Sequence, residues 1–508
     1  EGVIMTALKT TAIAATGVLM SGSAALADVT AEQVWQNWRS YFTSTGYAVT
    51  ATEQRVGNDL VISDFRMVID VPEDSSTVTM SIGDMTLTDR GDGTVAISFP
   101  ADLPIDLSIT SPEEDVDLGL TYASRGLSVN VSGDPGEQLL YTYAAAQIAL
   151  TLDSVTVDGE TMPLEELGSA NMTFNTITGS SEMADGARFT AAQRIDFGSS
   201  SIALDVTDPE TGENVKLDME TGASQLVVNL DVPKGPDPED VAAQLRDGMA
   251  LSFETTGRDT TLNMAVAGGE NDLDFTARFG TTASTFVMDA EGFAVDTTLT
   301  GVEQSATAPD LPFPVEMAAE ELGFGFEMPL LAGEAEQPFA LSAIIGDFTT
   351  TDMIWAMIDP GAQLPRDPAT ILVNLTGMAR LFVDIVDETA MSAVEEGDTM
   401  PGEITSLEIS DIVVSAAGAE LLGEGAFTFD NSDLETFDGI PAPDGAINLT
   451  LTGANALLDT LVNMGILPQD QASGARMMMG LFAVPGDGPD TLESTIEVKP
   501  NGQILANG

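Results

Sequence analysis

The sequence predicts a mainly β fold, in which a large antiparallel sheet curls or forms a half-barrel and a few helices pack against it. Three observations predict this fold: apolar residues at every second position, tight-turn dipeptides between these runs, and helical spacing confined to short segments. Strands that are apolar on one side and carry Thr, Ser or Asp on the other are typical of antiparallel sheets with one covered face. A flat open sheet of many strands is unfavourable, so we expect curling, splitting or partial closure.

The alternating pattern extends from Ala48 to Phe348. Asp-Gly and Asn-Gly pairs supply the positive φ angles that two-residue hairpin turns need, and they occur at Asp92-Gly93, Asp158-Gly159, Asp185-Gly186 and Asn501-Gly502. At about 8–12 residues per strand, the segment predicts a meander of about fifteen or more strands. The alternating apolar runs are Val78, Met80, Ile82; Val95, Ile97, Phe99; Leu103, Ile105, Leu107, Ile109; Leu127, Val129, Val131; Ile202, Leu204, Val206; Val215, Leu217, Met219; Leu226, Val228, Leu230; and Leu273, Phe275.

A helix is predicted between Asp28 and Tyr47, where the spacing of apolar residues changes to 3.6. Thr30 and Gln33 form a capping box at its start, because the side-chain oxygen of each residue can accept a hydrogen bond from the backbone N–H of the other. The aromatic stripe that follows is interpreted as a packed core and not as a ligand platform, since large aromatic side chains mostly pack a helix on a sheet. The stripe consists of Val34, Trp35, Trp38, Tyr41 and Phe42.

Further elements are predicted in the second half of the chain. Asp237 to Gly248 predicts a helix that begins with an aspartate cap and a first-turn proline. The run Met477, Met478 and Met479 is interpreted as core filler, the alternative being an adaptable binding groove. The remaining predicted elements are a helix at Thr351–Ile358, a strand at Ile371–Ile385 with a bulge at Gly377, a helix pair at Ala456–Met464 and Gln469–Val484, and a hairpin of Ser494–Val498 with Ile504.

The chain is predicted to have three parts. Residues 1–27 form a leader with a signal peptide, residues 28–310 a β-rich region with an opening helix, and residues 311–508 a β-rich region with a helix pair. The leader prediction rests on Lys9, on the apolar stretch after it, and on the cleavage pattern Ala25-Leu26-Ala27. The stretch is too short and glycine-rich for a membrane anchor, so we expect cleavage after Ala27 and a periplasmic protein without a transmembrane anchor.

Composition excludes several classes of function. The chain has 81 Asp and Glu against 17 Lys and Arg, a formal net charge of −64, and it has no Cys and no His. Binding of nucleic acids requires clustered Lys and Arg, so nucleic-acid binding is excluded. The even spread of acids indicates a surface adapted to saline surroundings, with a cationic partner as the alternative. Disulfides, Cys/His zinc sites and His-based triads are excluded as well.

No catalytic motif is recognised, and no catalytic, cofactor-binding or metal-ligating residue is assigned. Gly91 to Ala96 imitates a dinucleotide fingerprint, but it lies in a β turn where a helix start is required. Carboxylate pairs of the kind that glycoside hydrolases use are too numerous to rank. The acidic candidates are Glu113-Glu114-Asp115, Glu165-Glu166, Glu320-Glu321 and Glu395-Glu396 for a hydrolase, and Glu270, Asn271, Asp272 and Asp274 for calcium.

A group of short segments carries a resemblance to known proteins, and these segments are Val34–Trp38, Trp355, Asp359-Pro360, Leu364–Ala369, Ile371–Gly377 and Glu497–Gly508. They resemble a family of exported bacterial proteins, domain-of-unknown-function family 2125. The resemblance implies export and a β-rich fold, and it transfers no functional residue. The hairpin Leu407–Phe429 has a looser likeness to AsmA-type envelope proteins, and this likeness implies a long curved sheet whose apolar face shelters lipid chains.

We therefore expect a non-enzymatic periplasmic envelope protein that binds or shelters an apolar or lipid ligand along a curved sheet. The alternative is a structural or protein-interaction module of the envelope, and the third hypothesis is a carboxylate-based glycan hydrolase. No cofactor is expected. The expected partner is a lipid or another apolar envelope molecule.

Overall fold

A computed structural model describes residues 28–44, 46–71, 76–112, 114–208, 211–235, 240–269, 272–397 and 399–508. Their strands pair antiparallel wherever a register is defined, and the prediction of a mainly β fold with a few helices is confirmed. The described residues divide into two compact units. The first unit comprises the residues up to 235 and Leu251–Thr276, and the second comprises residues 240–250 and Ala277–Gly508. The predicted leader lies outside the described residues, and the predicted domain boundary at residue 310 stays a prediction.

The elements from the start of the chain to the unit boundary form a long meander. Two pairs of consecutive strands each act as one interrupted strand. β3 and β4 pair in succession with β2, and β7 and β8 pair in succession with β9. The elements are α1 Ala31–Ser44, β1 Ala48–Val56, β2 Asp59–Val71, β3 Ser76–Ile82, β4 Met85–Asp89, β5 Val95–Ser98, β6 Asp102–Thr110, β7 Asp115–Arg125, β8 Ser128–Asp134, β9 Gln138–Val157, β10 Glu160–Met162, α2 Leu164–Leu167, β11 Gly168–Asp185, β12 Arg188–Thr207, β13 Asn214–Thr221, β14 Ser224–Pro233, α3 Val241–Arg246, β15 Ala250–Ala267 and β16 Leu273–Asp289.

The second unit also consists mainly of consecutive strands, with more helices between them. Helix α3 belongs to this unit, although it precedes β15 in the chain. The remaining elements are β17 Gly292–Thr307, β18 Val315–Met328, β19 Gln337–Thr350, α4 Asp352–Ile358, β20 Ala369–Leu381, α5 Glu388–Glu395, β21 Gly402–Ala416, β22 Ala419–Asp430, β23 Ala442–Thr452, α6 Ala454–Asn463, α7 Gln469–Phe482, β24 Val484–Pro485, β25 Thr491–Val498 and β26 Ile504–Ala506.

Interruptions lie opposite one another in consecutive strands of the first unit. Asp64, Thr176 and Asp259 adopt positive φ angles of 51°, 52° and 53° within their strands. Breaks between β3 and β4, β5 and β6, β7 and β8, and β13 and β14 lie at the same level of the sheet. A bulge bends its strand and increases the local twist. The aligned interruptions therefore curl the sheet, as the sequence predicts.

Helix α1 covers one face of the first unit. Its capping box forms as predicted, because Thr30 N–H donates to Gln33 Oε1 at 2.9 Å and Gln33 N–H donates to Thr30 Oγ1 at 3.4 Å. Trp35 and Trp38 are 2% and 6% exposed within the largest buried cluster of the described residues. Tyr141 of β9 lies in the same cluster and donates its hydroxyl to Asn37 Oδ1 at 2.9 Å. The interpretation of the aromatic stripe as core is confirmed.

Two local predictions are wrong. Gly186 does not adopt a positive φ, although Gly93, Gly159 and Gly502 do. The predicted strand Ile371–Ile385 ends at Leu381, because the following residues leave the sheet. The cause is Asp384, whose carboxylate holds this segment against α3 and residue 332.

Helix α3 is fastened within the second unit by packing and by an ion pair. Its cap is Asp240, whose side chain accepts from Ala243 N–H at 2.9 Å, whereas the predicted first-turn proline lies outside the described residues. Leu245 is fully buried in a small apolar cluster that includes Leu330 and Leu331. Arg246 donates to both carboxylate oxygens of Asp384, at 2.8 and 2.5 Å, which gives the planar two-point geometry typical of strong Arg–carboxylate pairs.

The substitution Asp384→Asn is expected to destabilise the second unit at neutral pH and to remove part of its acid sensitivity. The hydrogen bond from Arg246, helped by Ala332 N–H, holds the pKa of Asp384 below its usual value. A depressed folded pKa stabilises the protein above the unfolded pKa of about 3.9, and the contribution is lost as pH falls through the folded pKa. Acid titrations followed by circular dichroism check this result. Glu334→Gln, at an exposed position, is the control and should unfold at the same acid midpoint as the parent. Equal acid midpoints for Asp384→Asn and the parent would contradict the prediction.

Candidate functional site: an open apolar sheet face

One face of the sheet in the second unit is apolar across six strands, β19 to β23 and β25. The strand registers align its residues in four rows that run across the strands. Every position is apolar or glycine except Ser494, and we call this set the apolar face. Row one is Phe339, Gly377, Leu407, Phe427, Gly445, Val498; row two is Leu341, Leu375, Ile409, Gly425, Ile447, Ile496; row three is Ala343, Val373, Ile412, Gly423, Leu449, Ser494; row four is Ile345, Ile371, Val414, Leu421, Leu451, Leu492.

A bulge in β21 keeps the rows on one face. Leu375 pairs with Ile409, but Val373 pairs with Ile412, so β21 contains one extra residue between these positions. Side chains alternate between faces along a strand, and the extra residue restores Ile412 to the face that Ile409 occupies. The hairpin of β21 and β22 therefore presents apolar residues of both strands on the same side.

The apolar face is much more exposed than the core of the first unit. None of its apolar side chains is fully buried, and Ile345, Ile371 and Val414 are 40%, 47% and 39% exposed. In the first unit, by contrast, Leu87, Ile62 and the other side chains under α1 are almost completely inaccessible. The second unit thus has an apolar surface that its own described residues leave partly uncovered.

The dimensions of the apolar face suit an extended hydrocarbon. With strands about 4.8 Å apart, six strands span about 24 Å, and four rows extend about 20 Å along the strands. The product is on the order of 500 Å², which is the extent of the whole face and not its exposed area. Contiguous exposed apolar surface of a few hundred Å² on soluble proteins is often functional. One leaflet of a bilayer contributes about 15 Å of hydrocarbon, so an acyl chain fits within this span.

Gly377 shapes row one beside Phe339. A Cβ at this position would clash with the ring of Phe339 and with the carbonyl oxygen of Ser406. The predicted bulge at Gly377 is wrong, since Gly377 pairs regularly with Phe339 and Leu407, and the nearby irregularity lies between Met378 and Ala379. Glycine is required here because the Phe339 ring lies over the strand.

The substitution Gly377→Ala is therefore expected to destabilise the second unit by about 1–3 kcal/mol, because the backbone oxygen of Ser406 cannot move aside as a side chain would. Thermal unfolding measures this loss. Gly480→Ala is the matched control, because its Cβ would meet nothing within 4 Å and it lies in helix α7. Alanine favours a helix by up to about 1 kcal/mol over glycine, so the control should be neutral or stabilising. A neutral Gly377→Ala would contradict the proposed crowding at Phe339.

The opposite face of the same strands is more polar. A concavity of about 450 Å³ lies against β18 to β23, and Glu327, Glu408 and Asp444 are among its lining residues. Most of its lining residues alternate with row one along their strands, which places the concavity on this polar face. The two faces therefore differ in chemistry, and only the first offers a continuous apolar surface.

The acidic candidates from the sequence are not gathered into a site. Glu320 and Glu321 are consecutive in β18, so their side chains point to opposite faces. Glu165 and Glu166 lie in the single turn of α2, and Glu395 ends α5. Asp272 accepts from Gly268 N–H at 3.0 Å within its own loop. Glu113, Glu270 and Asn271 lie outside the described residues.

Among the described residues, every carboxylate whose pKa is displaced has a pKa below its usual value. Hydrogen bonds from Thr94 lower the pKa of Asp92, and backbone N–H groups of the following loop lower the pKa of the buried Asp359. A glycosidase acid needs the opposite displacement, a pKa raised towards neutrality. Asp384, Asp430, Asp433 and Asp490 also have lowered pKa values.

The described residues offer neither a metal-ion cluster nor a helix that could span a membrane. They contain no group of three or more His, Cys, Asp or Glu side chains that could hold a metal ion. In the same part of the chain, no helix combines the length and the apolar character needed to cross a membrane.

The interpretation of the methionine run as core filler is wrong for two of its members. Met477 and Met478 are 65% and 51% exposed, and Leu481 in the following turn of α7 is 65% exposed. Arg476 fastens α7 to α6, because its guanidinium donates to Asp459 at 2.5 Å and to the Asn455 side chain at 3.1 Å. The helix therefore leaves an apolar side unpacked.

The fold and the site together define a class: mainly β proteins in which one face of a sheet is apolar and partly uncovered. Residues 274–504 match the model of a family described as "Uncharacterized protein conserved in bacteria (DUF2125)", which supports the assignment of this segment to that family. The match confirms the resemblance seen in the sequence, and it includes every residue of the apolar face. No curated protein matches the chain.

Proposed function

We propose that this chain is a non-enzymatic protein of the bacterial periplasm whose second unit shelters an apolar envelope molecule, a lipid, on the apolar face. One observation carries the proposal: six neighbouring strands present apolar side chains in register, and no described residue buries them fully. Exposed apolar surface is unfavourable in water by about 25 cal/mol per Å², so a ligand that covers it binds with a large hydrophobic contribution.

The periplasmic location is supported by the leader. Lys9, the apolar stretch and Ala25-Leu26-Ala27 have the order that secretion signals show. Fractionation of the native host followed by N-terminal sequencing tests this part. A mature protein in the periplasmic fraction that begins at Asp28 is the expected result, and an unprocessed cytoplasmic protein would contradict it.

The binding proposal is tested by native mass spectrometry of the full chain, purified from its host without detergent. We expect adducts with the masses of lipids, released as collision energy rises. The bare chain at the lowest collision energy, together with failure to take up added phosphatidylcholine, would overturn the proposal. A stable protein adduct in place of a lipid would favour the interaction-module alternative.

A further inference from the structure

Two helical segments of the second unit lie at the same end of its sheet. Helix α4 follows the end of β19 and precedes the start of β20, and helices α6 and α7 connect the end of β23 to β24 and β25. The registers place these strand ends together, since Thr370 pairs with Ser415, and Glu420 pairs with Thr452. We call this end of the sheet the helical end.

Both segments expose large apolar side chains. The helices are short, and α7 is held to the sheet by its last turn, where Ser494 Oγ and Asn507 Nδ2 both donate to the carbonyl oxygen of Phe482. The exposed residues are Met353 52%, Met357 71% and Ile358 56% on α4, and Met477 65%, Met478 51%, Leu481 65% and Phe482 47% on α7.

The apolar face is most open towards the helical end. Row four is the nearest row to it, and this row contains Ile345, Ile371 and Val414, which are the large apolar side chains of the apolar face with the highest exposure. Rows one to three are half-buried at their large side chains. Apolar surface therefore continues from the sheet to the end that carries α4 and α7.

The arginines of these segments are already paired. Arg366 forms a salt bridge with Asp352 and lies over the Trp355 ring, 5.8 Å from its centroid. Arg476 forms a salt bridge with Asp459 at 2.5 Å. Anionic lipid headgroups are attracted by unpaired Lys and Arg, and they are repelled by a chain with a net charge of −64. The charge therefore favours a surface of net-neutral headgroups.

We propose that the helical end docks on a lipid surface with net-neutral headgroups, with the exposed side of α7 and the apolar residues of α4 inserted among the acyl chains. Interfacial helices bind in this way, with the apolar side buried about 5–10 Å at the boundary of headgroup and chain. Methionine suits such a surface because its flexible side chain adapts to irregular packing. The inference rests on the proposed function, since docking at this end would bring a lipid to row four of the apolar face.

Vesicle flotation of the full chain tests the docking. We expect the protein to float with phosphatidylcholine vesicles. Flotation should decrease when about a third of the lipid is replaced by phosphatidylglycerol, because this anionic lipid gives the surface a strong negative potential. The double variant Met477→Asp with Leu481→Asp should reduce flotation about tenfold or more, because two inserted side chains become charged. Gln469→Asp adds the same kind of charge to an exposed position of the same helix, on a different side from Met478, Leu481 and Phe482, and it should float like the parent.

The two proposals fail in different ways. Absence of flotation with phosphatidylcholine, or equal flotation of the double variant and the parent, overturns the docking, as does a preference for anionic vesicles. Retention of a soluble phosphatidylcholine analogue should be unchanged in the double variant, because the substitutions lie outside the apolar face. A parent chain that floats but retains no analogue overturns the proposed function and leaves the docking result standing.

Discussion

A single carboxylate in row one of the apolar face, introduced by Leu407→Asp, is expected to weaken binding of a fluorescent phosphatidylcholine analogue about 10- to 100-fold. Leu407 lies in row one between Gly377 and Phe427, so a ligand that extends from row four to row one on these strands contacts it. Covering a leucine side chain contributes about 1.5–3 kcal/mol. Each 1.4 kcal/mol corresponds to about a factor of ten in affinity, and the introduced charge adds a cost of desolvation.

Fluorescence titration of the full chain measures this change, and the neighbouring residue provides a control. Ser406 precedes Leu407 in β21, so its side chain lies on the opposite face, where it is flanked by Met378 and Thr428. Ser406→Asp adds the same charge to the same strand and should bind the analogue as the parent does. Equal weakening by both variants would show that general charge or unfolding is responsible, and it would contradict binding on the apolar face.

The substitution Trp35→Ala is expected to destabilise the first unit by about 3–5 kcal/mol, the range for removal of a fully buried aromatic side chain. Trp35 is 2% exposed, and its indole Nε1–H donates to Glu53 Oε1 at 2.7 Å. Its ring meets the Phe65 ring edge-on, with the two centroids 5.5 Å apart. The substitution leaves a cavity where the indole ring was, and the neighbouring side chains cannot fill it because they are already closely packed and held in place. Urea unfolding followed by circular dichroism gives the loss as a lower midpoint.

Trp355→Ala is the matched control for this prediction. Trp355 is half-buried on α4 of the second unit, where its ring lies against the Arg366 guanidinium. An exposed cation–π contact contributes about 0.5–1 kcal/mol, so the control should lose far less than Trp35→Ala. A small loss for Trp35→Ala, equal to that of the control, would show that α1 does not cover a tightly packed core.

Local signals in the sequence were sufficient for most of the fold. Thr30 and Gln33 are three residues apart and report a helix start by themselves, and the structure forms both hydrogen bonds. The alternating runs predicted strands because burial of one face dictates a period of two. The hairpin Leu407–Phe429 was also recognised, and the registers pair Leu407 with Phe427 and Val414 with Leu421.

The candidate site is harder to predict from the sequence, because it depends on whether other parts of the protein cover the apolar face of the sheet. Apolar alternation is the same in a strand under α1 and in a strand of the apolar face, so the exposure of Ile371 cannot be deduced from its neighbours in sequence. The same reason explains Met477 and Met478, whose hydrophobicity indicated a core that the helix does not have. The sequence around Gly377 indicates a bulge, because the ring of Phe339 that lies over Gly377 is distant in sequence and leaves no local signal.

Photolabelling with a diazirine-bearing phosphatidylcholine, followed by mass spectrometry of the labelled peptides, tests most directly whether the apolar face holds a lipid. The diazirine inserts into whatever side chain touches the acyl chain. We expect labels in β19 to β23 and β25 on residues of the four rows, such as Phe339, Leu407 and Ile447, with competition by unlabelled lipid. Labels confined to the first unit, or labels that unlabelled lipid does not displace, would contradict a lipid site on the apolar face.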